Sequence, residues 1–304
     1  MSRRLAALAS LWLLWPVGSA SAAEIALVRS GEVPAWRAAA DALRAGLSTH
    51  TLVELDLGQD PAEARRLASG LKGQQSVIVA FGAVAAQAAH ESLPEIPLVV
   101  CMVPDPARLG LQAAPGVSGI TFQPPVKNQL AAFRMVNPRA VRIGIVYNEA
   151  NAGHLVKEAQ AAAPVVRLAI VAKAAASDKD VPQALRSLLS GPDAVDALWV
   201  PPDPLLLGDQ ARRFLLAETL KAGRPVYSFS PSLVPEGALV SNGASMVSTG
   251  ELAAELAVRF AGAERTARIE YLVPRSELVI NKKIADRLKI EIPADALSSA
   301  AKVY

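Results

Sequence analysis

The sequence predicts an α/β protein of two doubly wound parallel-sheet lobes, and three observations carry that prediction. Short β-branched runs alternate with alanine-rich amphipathic segments along the chain from Ile25 onward. Such alternation builds parallel sheets covered by helices on both faces. The pattern pauses at Gln123-Pro124-Pro125, which can continue neither a helix nor a central strand, and then starts again. A chain of 304 residues is also long enough for two cores of ordinary size.

The elements follow in order. Ile25–Val28 is an apolar run, and Ser30-Gly31-Glu32-Val33 leads to Pro34, which opens a helix through Leu47. Leu52–Leu57 alternates as a strand, Pro61–Leu71 is helical, and Ser76–Ala80 is a buried strand running into Phe81-Gly82. Ala83–Leu93 is a helix, Leu98–Met102 a strand ended by Pro104, and Val117–Phe122 closes the first half. The second half opens with a helix over Val126–Val136 and a strand over Arg142–Tyr147. A loop over Asn148–Gly153, a helix over His154–Ala163 and a strand over Val165–Val171 come next. Val181–Leu189 is a helix, Ala197–Val200 a strand, Pro201–Pro204 a loop, Gly208–Ala222 a helix and Pro225–Phe229 a strand. Ala238–Asn242 is a strand end, Val247–Ala261 a long helix, Leu278–Asn281 a last strand and Lys282–Lys289 its helix.

Composition narrows the class. Apolar residues make up 52% and charged residues 19%, which excludes a disordered chain. There are 31 basic and 28 acidic residues, and no Lys/Arg block forms a nucleic-acid surface. At the N-terminus, Arg3 and Arg4 precede the apolar run Leu5–Leu14, and Ala20-Ser21-Ala22 is an A-x-A cleavage site. This predicts a signal peptide over residues 1–22 and a soluble, periplasmic mature chain. The single cysteine, Cys101, allows no internal disulfide, and none stands at the cleavage site to carry a lipid.

In open parallel sheets, ligands bind at the carboxyl ends of the strands. The residues there in the first half are Ser30, Phe81, Gly82, Met102, Asp105, Phe122 and Gln123. In the second half they are Tyr147, Asn148, Glu149, Asp203, Ser228, Ser230 and Asn242. Amides, hydroxyls, carboxylates and aromatics in this mixture suit a small polar ligand. Each also has a plainer use: Asp105 and Asp203 as turn residues, Asn148 as a helix cap, Tyr147 as core. No glycine-rich phosphate loop, nucleophile elbow or clustered histidines occur, and Cys101 sits inside an apolar strand. The reading is a binding module without catalysis, cofactor or metal.

Several stretches together resemble a known family. They are Gly116-Val117-Ser118-Gly119-Ile120-Thr121 before Pro125-Val126-Lys127-Asn128-Gln129-Leu130, and Asn137-Pro138 before Val141 to Asn148. Asp196-Ala197-Leu198-Trp199-Val200-Pro201 with Asp203, Pro225-Val226-Tyr227, Gly237-Ala238-Leu239-Val240 and Leu278 to Lys283 complete the set. In order and spacing these are similar to ABC-transporter substrate-binding proteins of the tryptophan/tyrosine-binding type, which have the type I periplasmic binding protein fold. The resemblance implies two lobes joined by three crossovers. The first lobe is expected at 23–122 plus 247–270 and the second at 123–242 plus 276–304, with hinges near Thr121–Pro125, Asn242–Ser245 and Val273–Ser276. It further implies a monomer that closes on a small ligand in the cleft and is read by an inner-membrane ABC permease, or alternatively by a membrane sensor. The chain departs from the family at Glu149, at Ala152-Gly153, at Pro202-Asp203-Pro204 and at Phe229-Ser230. The family's amino-acid specificity therefore does not transfer directly.

Overall fold

A computed structural model describes residues 23–71, 75–262 and 269–304. The predicted signal peptide lies outside the described residues. The first run of elements is β1 (Glu24–Arg29), α1 (Arg37–Gly46), β2 (Thr51–Asp56), α2 (Pro61–Ala68), β3 (Val77–Phe81), α3 (Ala83–Ser92), β4 (Leu98–Cys101) and β5 (Val117–Ile120). The second is α4 (Val126–Val136), β6 (Arg142–Tyr147), α5 (Glu149–Ala162), β7 (Ala169–Ala174), α6 (Val181–Leu189), β8 (Ala197–Val200), α7 (Pro204–Leu207), α8 (Asp209–Lys221), β9 (Val226–Ser228), α9 (Leu233–Glu236) and β10 (Val240–Ala244). The chain ends with α10 (Met246–Ala261), β11 (Tyr271–Leu272), β12 (Ser276–Ile280), α11 (Lys282–Arg287), α12 (Ala294–Ser298) and β13 (Lys302–Val303).

Two sheets result. The first has the order β11-β5-β4-β3-β1-β2, with every pairing parallel. The second has the order β13-β12-β10-β9-β8-β6-β7, parallel except where β12 runs against β10. Side chains alternate across each strand, so each sheet feeds two cores. In the first, Ile25, Leu27, Val77, Val79 and Val99 face α1 and α10, while Ala26, Val28, Ile78, Ala80 and Val100 face α2 and α3. In the second, Ile143, Ile145, Trp199 and Tyr227 face α4 and α5, while Val146, Leu198, Val200 and Val226 face α6 and α8.

The chain passes between the sheets three times. It leaves β5 for α4, returns from β10 into α10, and leaves again between β11 and β12. Helix α10 lies against α1 so closely that a Cβ on Gly250 would fall 2.1 Å from the carbonyl of Ala39. The three connections are stitched together. Thr121 N–H donates to Leu272 O at 2.9 Å, Ser245 N–H to Arg275 O at 2.8 Å, and Arg275 N–H to Ser248 Oγ at 3.1 Å.

Some elements differ from expectation. Pro34–Trp36 form a 3-10 turn ahead of α1. The stretch read as a loop over Asn148–Gly153 is the first turns of α5, because Asn148 caps it by accepting from Ala150 N–H at 3.0 Å. The strand expected at Val165–Val171 starts four residues later. Pro164 suits the 3-10 turn that replaces its beginning, and Arg167 leaves that turn at φ +57°. The short strands β11 and β13 and the helices α7, α9 and α12 were not expected.

Candidate functional site

The rim of the first lobe is assembled around Ser30. Its N–H donates to Phe81 O at 2.9 Å, and its Oγ accepts from Ala85 N–H at 2.8 Å in the first turn of α3. Gly82 sits between them at φ +93°. A Cβ there would lie 2.7 Å from Ser30 Oγ and 2.8 Å from the Trp36 ring. Only glycine fits that backbone and that space. Asp56 Oδ1 accepts from the N–H groups of Gly31 and Gly58, each at 2.9 Å, and the Gln59 amide donates to Ser30 O. Phe81 is buried against the α1–α10 side, at the floor of a groove of about 320 Å3 that Arg29, Glu32, Trp36 and Arg37 also line.

Met102, buried at φ +55°, turns the chain out of β4 into the long connection to β5. Asp105 Oδ1 accepts from Arg108 N–H at 3.1 Å and shapes the turn. Leu111 N–H donates to Pro106 O at 2.9 Å, and its side chain is fully buried. Arg108 thus stands on a braced projection.

The rim of the second lobe is locked around Asp203. This carboxylate is wholly buried. Oδ2 accepts from Asn148 N–H at 2.6 Å, and Oδ1 accepts from Asn151 Nδ2 and Leu205 N–H, each at 3.0 Å. Asn148 Nδ2 in turn donates to Ala175 O and Ala176 O. The N-cap and turn readings of Asn148 and Asp203 therefore describe their contacts here. Glu149 is exposed over Gly153 and 3.6 Å from Lys157. Partial burial and the neighbouring Glu149 carboxylate push the Tyr147 phenol up. Ser228 Oγ accepts from Ser230 N–H at 3.0 Å, and Ser230 Oγ meets Ser232 Oγ at 2.8 Å. Asn242 Nδ2 donates to Asn128 O at 3.4 Å. At the first crossover, Gln123 Oε1 accepts from the fully buried Gln129 at 3.2 Å, whose own Oε1 has no partner.

Two contacts bring the rims face to face. Arg108 Nη1 donates to Ala150 O at 3.0 Å, from the loop after β4 to the first turn of α5. The Phe122 and Phe229 rings, after β5 and β9, lie 6.1 Å apart at 38°. Trp36, Arg108 and Gln129 escaped the sequence reading. Trp36 lay within an expected helix. The only signal for Arg108 was the unusual length of the helix-free connection around Asp105-Pro106.

Among the described residues no group of three His, Cys, Asp or Glu side chains is placed to hold a metal ion, and no helix is long and apolar enough to cross a membrane. Burial pushes the Cys101 thiol far up, which keeps it protonated and unreactive.

The arrangement of two parallel-sheet lobes with polar rims is that of periplasmic binding proteins, and the family model described as ABC transporter substrate binding protein matches residues 55–304. The chain belongs to that family. A tyrosine-binding protein of Clostridioides difficile is 26% identical over 226 residues, covering 72% of this chain. The chain spans 64% of that relative's length. A Streptococcus pneumoniae ABC domain solved with L-Trp has a TM-score of 0.70 at 21% identity, covering 93% of this chain and all of that one. A ligand-free, open substrate-binding protein with adhesive properties from Clostridium difficile has a TM-score of 0.79 at 22% identity, covering 92% and 99%. The fold of this substrate-binding protein is thus the type I periplasmic binding protein fold.

Proposed function

We propose that this protein captures a small polar ligand, an amino acid or related organic acid, in the cleft between its lobes and delivers it to an ABC importer, without transforming it. The observation that carries this reading is the meeting of the two rims through Arg108 and Ala150 and through Phe122 and Phe229. A ligand between these loops touches both lobes, and its contacts in the closed state favour closure. Family membership and the tyrosine-binding relative support the ligand class. The proposed lobes are 23–122 with 247–270, extended to Leu272 because β11 pairs with β5, and 123–242 with 276–304; the hinges are the three stitched crossovers, and the compartment is the periplasm. The proposed ligand-binding set is the strand-end residues named above, with Trp36 and Arg108 added and with Asp203 acting through Asn148 and Asn151 rather than by contact.

A thermal-shift screen across amino acids and small organic acids tests this. A ligand at 100 times its Kd stabilises by about 2.7 kcal/mol. One compound class raising the melting temperature in proportion to concentration is the expected result. Chemical turnover of the bound compound would contradict a pure binder.

A further inference from the structure

We infer that Gln129 and Glu158 are positioning residues that pin the first crossover to the second lobe, so that its bending falls on Phe122-Gln123. This rests on the interlobe closure proposed above and locates its pivot. Each crossover changes hands at a definite place. In the second, Ala244 still pairs with Ser276 in the second sheet, and Ser245 already caps α10 by accepting from Ser248 N–H at 3.3 Å. In the third, Arg275 is held on α10 by Ser248 Oγ and by Glu251 at 2.7 Å, and Ser276 already lies in β12. These two crossovers run side by side and brace each other through the Ser245–Arg275 bond and the β10–β12 ladder.

The first crossover is a lone strand. Thr121 N–H fastens its start to Leu272 O in the first lobe. Its far end is Pro124-Pro125, which has no N–H to donate, so side chains of the second lobe anchor it. Gln129, fully buried on α4, donates to Pro124 O at 2.9 Å and to Gln123 Oε1 at 3.2 Å. Glu158 of α5 accepts from Val126 N–H at 3.0 Å, where α4 has no side-chain cap of its own. Between these fastenings, the backbone of Phe122 and Gln123 takes no hydrogen bond among the described residues. Glu158 also lies on the helix whose first turn receives Arg108 at Ala150. One helix thus touches both the pivot and the rim contact, about 12 Å apart along its axis. Freeing the end of the crossover adds conformations to the open form. It adds few to the closed form, which Arg108 and Phe122 hold together.

The test places spin labels on A62C and K179C, exposed positions in the first and second lobes, while the buried Cys101 stays unlabelled. Pulsed electron paramagnetic resonance then reads the interlobe distances of the ligand-free protein. E158A should raise the share of long distances over short ones by about threefold or more, and E158Q, which keeps an acceptor oxygen, should restore the wild-type distribution. Q129L removes two bonds and should raise that share further. A merely structural role would lower the urea midpoint of E158A and leave its distances unchanged, and that result overturns the inference. An E158Q distribution as broad as that of E158A also overturns it, because the hydrogen bond would then not be the cause. The same labels with saturating L-tyrosine keep the two readings apart. L-tyrosine shown by calorimetry to bind, yet leaving the wild-type distances unchanged, contradicts interlobe capture, whereas the pin is judged on ligand-free protein.

Discussion

The two rims of the cleft are built by different devices. In the first lobe a neutral hydroxyl, Ser30, holds the start of α3, and close packing of Gly82 under Trp36 fixes the surface. In the second lobe a buried carboxylate, Asp203, ties together three backbone or amide donors from two loops. A neutral hydrogen bond contributes about 1 kcal/mol, whereas bonds to a charged group contribute about 1.5–3 kcal/mol each and leave costly orphans when cut. The difference teaches that an acid at a strand end is not by itself a ligand contact. The second rim uses its acid to make a rigid wall, and the first leaves Trp36 and Arg108 at the surface proposed to meet the ligand.

That contrast can be broken by mutation. Asp203→Ala should cost about 3–5 kcal/mol in urea denaturation, because Asn148 N–H, Leu205 N–H and the Asn151 amide all lose their acceptor. A loss below about 1 kcal/mol would show that the second rim is not held by its carboxylate. Gly82→Ala should cost about 2–3 kcal/mol, since the new methyl meets Ser30 and Trp36 at a backbone angle unsuited to alanine. Ser30→Ala should cost only about 1 kcal/mol, from the Ala85 N–H it leaves unpaired. An equal cost for Ser30→Ala and Asp203→Ala would erase the distinction between the rims.

A smaller effect sharpens the first lobe's side. The Arg44 guanidinium, hydrogen-bonded to Glu54 at 2.6 and 2.9 Å, holds that carboxyl below its ordinary value. A carboxyl depressed on folding stabilises above its unfolded pKa of about 4.3, and that contribution fades as pH falls through the folded value. Glu54→Gln should therefore cost less than about 1 kcal/mol at pH 7 and almost nothing below pH ~3, because the pair is half-exposed. A cost that grows on acidification would reverse the assigned sign.

Much of the fold was legible because buried parallel strands leave a plain mark. The run Ser76–Ala80 is apolar after its first residue and Ala197–Val200 is apolar throughout, and β3 and β8 follow them closely. Short edge strands leave none. β11 and β13 have two residues each, paired only through long-range register. The start of α5 was hidden because Asn148, Glu149 and Asn151 read as a polar loop until Asp203, 52 to 55 residues away, accepts from two of them. The site was legible only as a set of strand ends. Which polar atoms stay free depends on distant donors, so sequence alone could not separate Asp203, which is sealed, from Arg108, which is not.

The proposed function requires that ligand sit between lobes that close on it. Small-angle scattering of the purified protein, with and without the tightest compound from the screen at saturation, tests it most directly. The account predicts a smaller radius of gyration in the bound state. An unchanged radius, with binding confirmed by calorimetry in the same sample, would contradict closure and leave a rigid, preformed pocket.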